Sequence, residues 1–370
     1  MSPQSASANT HLGTCLVVGG CGFLGFHLVE KLLRCGDYDG VFVYDRNVCV
    51  NLHDGATYVR GDITDTDALR SLLDRIQPSV IFHAASPVAS LPGSRLGEFM
   101  RTNVQGTNII IDLATKSPSV KALVYTSTID AYANPPHENV SEDHPLWPPS
   151  DKSNEYNRTK AIGDHLVRAA NCAQLRTATL RLGHAYGERQ SQGLVEILDA
   201  CEGTKPLIQV GSGKNVMEVM SAENSALGHV LVAKALLNDP QPTNEDMRVA
   251  GEAFNISDGA PVPFWHHVRV IWGVSRGSDA LKNVTILPAW VMSAVVFIME
   301  WVLWLFTLDT VKPPMALRRT SLEYCIYSHT YSIEKARKRL GFRPVVNHDA
   351  VLARAAQHML EQRRLTKKAE

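Results

Sequence analysis

The chain carries no excess charge of either sign. Its 37 Lys and Arg balance 37 Asp and Glu over 370 residues. Nucleic-acid binders normally show a basic surplus, so no nucleic-acid partner is expected. Seven cysteines (15, 21, 35, 49, 172, 201 and 325) include no C-x-x-C pair. An odd, scattered set in a chain this long reads as reduced thiols in an intracellular compartment, not as a disulfide framework. Residues 1–13 contain neither a basic nor an apolar stretch, so no secretory leader is expected. H-E-x-x-H and zinc-spaced Cys/His clusters are missing, which leaves no metal site to predict. G-x-S-x-G is missing too, and with it the hydrolase elbow. Gly211-Ser212-Gly213-Lys214 is not a phosphate loop, because Ile208 holds the place of its first glycine. It reads instead as a hairpin turn. Solenoid-period repeats and low-complexity tracts are also lacking.

What is present is a globular composition, 45% apolar and 20% charged, which excludes collagen-like and disordered classes. Apolar runs at 15–19, 41–44, 57–60, 79–83, 122–126 and 177–182 read as strands. Helical periodicity lies between them over 67–76, 100–116 and 157–171. Strands and helices alternating at this spacing predict a doubly wound parallel α/β sheet of Rossmann type. The length predicts two units: a dinucleotide-binding domain over 11–188, and a smaller substrate lobe over 189–370 with parts returning to the sheet.

Two constellations carry chemistry. Gly19, Gly22 and Gly25 sit between the first strand and its helix, with Asp45 at the end of the next strand. Gly19 permits a tight turn and Gly22 admits a pyrophosphate to the helix N-terminus. Gly25 lets the helix pack close to the sheet. Asp45 would accept from both ribose hydroxyls and repel a 2′-phosphate, favouring NAD; the adjacent Arg46 leaves NADP open. The second constellation is Tyr156 and Lys160, four residues apart on one helix face. The helix follows a strand ending in Thr126-Ser127-Thr128. A hydroxyl, a phenol and an ammonium gathered near a nicotinamide suit hydride transfer from a carbinol. The phenol takes the hydroxyl proton, and the nearby Lys and an oxidised nicotinamide lower its pKa.

These residues resemble the extended short-chain dehydrogenase/reductase superfamily. The blocks that carry the likeness include GGCGFLG (19–25), GDITD (61–65), HAAS (83–86), VYTSTIDAY (124–132), YNRTK (156–160) and GEAFNISDGAPVPFW (251–265). Within it the chain is similar to the 3β-hydroxysteroid dehydrogenases, and most to their sterol-4α-carboxylate, decarboxylating branch. The resemblance implies a cofactor site at Gly19, Gly22, Phe23, Leu24, Gly25, Asp45, Asp62, Ile63, Ala84 and Asn103. Asp62 and Ile63 would flank the adenine. Tyr156 would be the base and Lys160 its partner, both also touching cofactor. Thr128 stands where the superfamily has its catalytic serine, with Ser127 as the neighbouring alternative. Leu182 replaces a proline that many relatives have.

Residues 286–308 are apolar apart from Glu300 and include Trp290, Trp301 and Trp304. As a helix the run would be about 35 Å long. It is expected to associate with a membrane as a monotopic hairpin or in-plane helix, not to span it, with Lys312, Arg318 and Arg319 facing headgroups. The expected location is the cytosolic face of the endoplasmic reticulum or a lipid droplet. The expected substrate is a sterol or triterpenoid alcohol oxidised at its 3β-hydroxyl, with loss of a C4 carboxyl where one is present. A nucleotide-sugar epimerase, a ketone reductase and a non-catalytic dinucleotide sensor are the alternatives, and a homodimer is left open.

Overall fold

The computed structural model describes residues 11–87, 97–151, 154–238, 244–308, 311, 313, 317–345 and 347–369. Lys312 of the expected basic flank lies outside them. Residues 14–169 supply five strands of the main sheet and four α-helices among the described residues. The strands are β1 (Thr14–Val18), β2 (Gly40–Asp45), β3 (Ala56–Arg60), β4 (Val80–His83) and β5 (Ala122–Thr128); the helices are α1 (Phe23–Cys35), α2 (Thr66–Ile76), α3 (Thr107–Lys116) and α4 (Glu155–Ala169). Strands Arg176–Leu182 and Glu252–Ile256 complete a seven-stranded sheet. Its order is Glu252–Ile256, Arg176–Leu182, β5, β4, β1, β2, β3, and every pairing in it is parallel.

Side chains alternate across the sheet, so each face needs its own cover. On one face Val17, Val43, Phe82, Val124, Leu180 and Phe254 pack against Leu28 and Leu32 of α1 and Val232 and Leu236 of helix Ala222–Asn238. On the other, Leu16, Val18, Ile81, Leu123 and Tyr125 pack against α2, α3 and α4 through Leu69, Leu72, Ile110, Leu113 and Val167. Local chemistry starts the helices. The Asp65 carboxylate caps α2 by accepting from the Ala68 amide, and Asn154 caps α4 by accepting from Asn157.

Two sequence expectations are corrected. The stretch expected to be one helix over 100–116 opens as a π-helix, Met100–Gly106, before α3 begins. The 211–214 turn does not join a hairpin. Strand Ile208–Val210 before it pairs with Thr285–Leu287, whereas Val216–Met217 after it pairs with Val262–Pro263 and His329–Tyr331. Glycine signals a turn but not which strands flank it as partners.

A second core lies in elements of the C-terminal half, which form a lobe of their own. It gathers Leu194, Leu198, Trp265, Ile271, Trp272, Leu352 and Ala356. A buried ion pair ties α4 to the sheet. Arg181 is 1% exposed and donates to both Asp164 oxygens, Nη2 to Oδ1 at 2.9 Å and Nε to Oδ2 at 3.0 Å. Arg168 donates to Oδ1 as well. Burial pushes the Asp164 carboxyl up, but the two guanidinium groups outweigh it and hold the group below its usual range. Arg181 also donates to the Tyr132 hydroxyl and the Glu142 carbonyl. Asp164→Ala strips this buried guanidinium of its counter-charge. It is expected to destabilise the fold by about 3–5 kcal/mol, read by urea denaturation; a loss under about 1 kcal/mol would contradict that role.

Candidate active site

The site is assembled at the carboxyl ends of β1, β4 and β5. The chain leaves β1 into a turn at Gly19, whose φ of +86° suits glycine. A Cβ there would meet the Ala85 amide nitrogen at 2.5 Å, and one at Gly25 would meet the Gly19 carbonyl oxygen at 2.2 Å. Both positions therefore exclude side chains. Gly22 forms the N-cap of α1 without a side-chain cap, and no acidic residue occupies the first turn, where Phe23 and Leu24 sit. The first amides of α1 are thus left for an anion. Ala84 follows β4 and donates its amide to Val18, which places it against the turn.

Asp45 ends β2 and accepts from the Cys21 amide at 3.0 Å and from Asn47 at 3.1 Å. The neighbouring Arg46 is paired with Glu98 at 3.3 Å, so its charge is partly neutralised. Asp62 accepts from the Thr64 amide and hydroxyl and pairs with Arg101 at 3.1 Å. Burial raises its pKa, but the Thr64 bonds and then Arg101 bring it below the ordinary range. Ile63 beside it is buried. An uncapped helix start, a turn closed to side chains and a strand-end carboxylate fit a dinucleotide. Gly19, Gly22, Phe23, Leu24, Gly25, Asp45, Asp62, Ile63 and Ala84 line that arrangement.

The second half of the site lies on α4 and β5. The Lys160 ammonium is 3% exposed, donates to the Thr126 carbonyl at 2.9 Å and lies 5.0 Å over the Tyr125 ring. Burial pushes its pKa down to about 7, with Asp164 one turn on pulling the other way. Tyr156 is half-buried, with its ring edge-on to Phe99 at 5.8 Å. Burial pushes the phenol up; Asp130 adds to the rise and the Thr128 hydroxyl opposes it. The expected lowering by Lys160 and an oxidised nicotinamide concerns the site with its cofactor bound. Without that cofactor, burial is the largest influence on the phenol.

Thr128 ends β5, and its hydroxyl accepts from the Asp130 amide at 3.1 Å. Ser127 is buried, and its hydroxyl has no partner among the described residues. Asn103, on the π-helix, donates to Thr159 at 3.1 Å, and Thr159 donates to the Tyr156 carbonyl. It braces the backbone of α4 from behind. π-turns of this kind often accompany functional sites.

Sequence reasoning missed Asp130 and Tyr324, whose hydroxyl donates to the Asp130 carboxylate. Asp130 stands two residues after Thr128 and was visible in that spacing; Tyr324, 194 positions away, gave no local signal. It also missed a cluster at the starts of two lobe helices. His266 and His348 both bond the Asp349 carboxylate, at 2.8 and 2.7 Å, and their ligand atoms lie within 4.8 Å of one another. His266 stands 83 positions from Asp349, beyond any spacing rule.

The sheet order, the glycine turn and the Tyr–Lys pair define an extended short-chain dehydrogenase/reductase. More narrowly, the sequence profile of the 3-beta hydroxysteroid dehydrogenase/isomerase family matches residues 16–288, and the chain belongs to that family. It is similar to a decarboxylating sterol-4-alpha-carboxylate 3-dehydrogenase of Gibberella zeae, with 32% identity over 79% of this chain and 94% of that one. The Mus musculus enzyme of the same name is 29% identical over 93% of this chain and 90% of its own. An Arabidopsis thaliana 3beta-hydroxysteroid-dehydrogenase/decarboxylase is 28% identical, covering 90% and 76%. Among solved structures, the UDP-glucose 4-epimerase of Thermotoga maritima superposes with a TM-score of 0.69 at 19% identity, covering 94% of this chain and 99% of its own. The UDP-glucuronic acid 4-epimerase of Bacillus cereus, solved with NAD, gives the same figures. These two show the fold.

Two substitutions test the site. Tyr156→Phe is expected to keep NAD binding while turnover falls by roughly 10²–10⁴, the range for one acid–base group; near-normal turnover removes Tyr156 from the chemistry. Asp45→Ala is expected to narrow the preference of kcat/KM for NAD over NADP by about tenfold or more, because a carboxylate beside a 2′-phosphate is repelled. A wild-type enzyme that strongly prefers NADP would show that Arg46 governs instead.

Proposed function

We propose that this chain oxidises the 3β-hydroxyl of a membrane-held sterol or triterpenoid to a ketone, and that a carboxyl at C4, where present, leaves as CO₂. The observation that carries this is Tyr156 of α4, beside Lys160, in hydrogen-bond reach of Thr128 at the end of β5, in a chain about 30% identical to enzymes named decarboxylating sterol-4-alpha-carboxylate 3-dehydrogenases. NAD, when bound, supplies the hydride acceptor; Asp45, with Arg46 tied to Glu98, favours it over NADP. Tyr156 receives the hydroxyl proton and Thr128 holds the substrate oxygen. Lys160, fixed on the Thr126 carbonyl, supplies the positive field that favours the phenolate once its surroundings are completed. A 3-keto-4-carboxylate loses CO₂ readily because the ketone accepts the electron pair as an enol.

The substrate class is supported by helix Ala289–Thr307. Among its residues with described burial only Val296 is buried, while Trp290 is 73% and Phe306 80% exposed. A face this apolar would not remain in water. Glu300, its single charge, turns toward the protein and accepts from the Arg319 amide at 3.3 Å. An in-plane docking is favoured over a span. The strand before the helix, Thr285–Leu287, pairs with Ile208–Val210, and the strand after it, His329–Tyr331, pairs with Val216–Met217. Both flanks thus belong to one lobe. We place the enzyme on the cytosolic face of the endoplasmic reticulum or on a lipid droplet.

Mass spectrometry of products from purified enzyme, NAD and a panel of 4-carboxy, 4-methyl and 4-desmethyl 3β-alcohols tests the reaction. Ketones are expected, and their absence with every sterol would overturn the reading. Replacing 286–308 with a short polar linker is expected to release the protein from membranes, since each large apolar side chain buried in lipid contributes about 1.5–3 kcal/mol. The same variant should still oxidise a small soluble alcohol, with a raised KM for bilayer-presented sterol. Persistent membrane sedimentation of that variant would contradict the docking role.

A further inference from the structure

Two lobe helices begin at one cluster of metal-ligating side chains. Helix Phe264–Arg276 brings His266 in its first turn, and helix His348–Ala369 opens with His348 and Asp349. His266 Nε2 lies 2.8 Å from Asp349 Oδ1, and His348 Nδ1 lies 2.7 Å from the same oxygen. Among the described residues the carboxylate is paired only with these two imidazoles. The two sides of the cluster differ. Inward, His348 is buried, its Nε2 meets Nδ1 of the buried His267 at 2.9 Å, and its ring lies edge-on to Tyr186 at 5.1 Å. Outward, the His266 and Asp349 side chains are 48% and 60% exposed. One donor atom is thus fixed from behind, while the other two open to solvent and leave a way in for an ion and its water.

We propose that His266 Nε2, His348 Nδ1 and an Asp349 oxygen hold a divalent transition-metal ion of the zinc class, which ties the starts of the two helices together. Two imidazole nitrogens and one carboxylate oxygen are a zinc donor set, with water in the fourth position. Imidazole donors select against magnesium and calcium, which take oxygen. The three donor atoms already lie within 4.8 Å of one another. Zinc bonds of about 2.0–2.2 Å put tetrahedral donors about 3.3 Å apart. The two contacts to Asp349 must therefore open by about half an ångström, which rotation of the exposed His266 and Asp349 side chains supplies. Without an ion, both imidazoles donate N–H to Asp349. With one, those nitrogens give lone pairs and each ring carries its proton on the other nitrogen. On His348 that proton sits on Nε2 and is donated to His267, the outer partner that orients a metal-bound imidazole. The two helix starts oppose a cation, and the Asp349 carboxylate offsets them. Trp265 and Ile271 of the first helix and Leu352 and Ala356 of the second share the lobe core. An ion joining the two starts would stiffen that core.

The test uses the untagged full chain in detergent micelles, stripped with EDTA and then titrated with zinc chloride alone. After dialysis, elemental analysis should find one zinc per chain, and the midpoint of thermal unfolding should rise with zinc. Cobalt(II) in its place should give the intense visible bands of a four-coordinate site. His266→Ala and Asp349→Asn change exposed side chains, so both should fold. Each should lose the cobalt bands and bind zinc about a hundredfold or more weaker, beyond the cost of losing a group that only orients a ligand. Each should also unfold at the same temperature with and without zinc. A wild-type chain that retains no zinc overturns the proposal, as does zinc retained equally by both variants. So does a His266→Ala midpoint that falls equally in EDTA and in zinc, which would make the cluster a hydrogen-bonded join of two helix starts. These readouts are metal content, spectrum and stability, so they stand apart from the reaction proposed above.

Discussion

A lysine ammonium enclosed beneath the end of β5 is the constraint around which this molecule is arranged. Burying a charge is costly unless it is hydrogen-bonded and its field is used. Lys160 has the Thr126 carbonyl and the Tyr125 ring face, but no carboxylate of its own. Asp164, one turn away, is committed to Arg181 and Arg168. The positive field of Lys160 is therefore left over for the space in front of it, where Tyr156 stands. In the protein alone, burial works the other way and pushes the Tyr156 phenol up. The site is thus poised by geometry and completed only when cofactor and substrate replace water around it.

The same arrangement explains why the lobe matters to the chemistry. Helix Arg319–Ile326 meets the apolar helix through Glu300 and meets the turn after β5 through Tyr324 and Asp130. One short helix thus links the surface proposed to dock on lipid with the carboxylate beside the base. The two flanks of the apolar helix return to neighbouring strands of one lobe, which keeps the substrate entrance and the catalytic edge on a single body.

Much of this was legible in the sequence. Strands β1 to β5 are short apolar runs, and the glycine turn and the Tyr–Lys pair obey local spacing. What escaped is what depends on distance along the chain. Strand Glu252–Ile256 joins the sheet some 70 residues after its neighbour Arg176–Leu182, and its short, mixed sequence gave no strand signal of its own. The π-turn at 100–106 has the apolar pattern of an ordinary helix, and only packing around buried Asn103 sets it apart. The 211–214 turn was recognised, but strand partnership is decided by tertiary pairing. The burial that pushes the Tyr156 phenol up was not legible either, because a charge pair can be read from spacing whereas desolvation cannot.

The central claim is that the hydrogen on C3 of a 3β-sterol passes as hydride to NAD at the Tyr156 site. The most direct measurement uses a 3β-alcohol carrying deuterium at C3, with mass spectrometry of the reduced dinucleotide and the rate compared with the protiated alcohol. The account predicts one deuterium in each reduced dinucleotide, and a slower rate for the deuterated alcohol whenever transfer limits turnover. A reduced dinucleotide without deuterium, or ketone formed with no reduction of NAD, would contradict it.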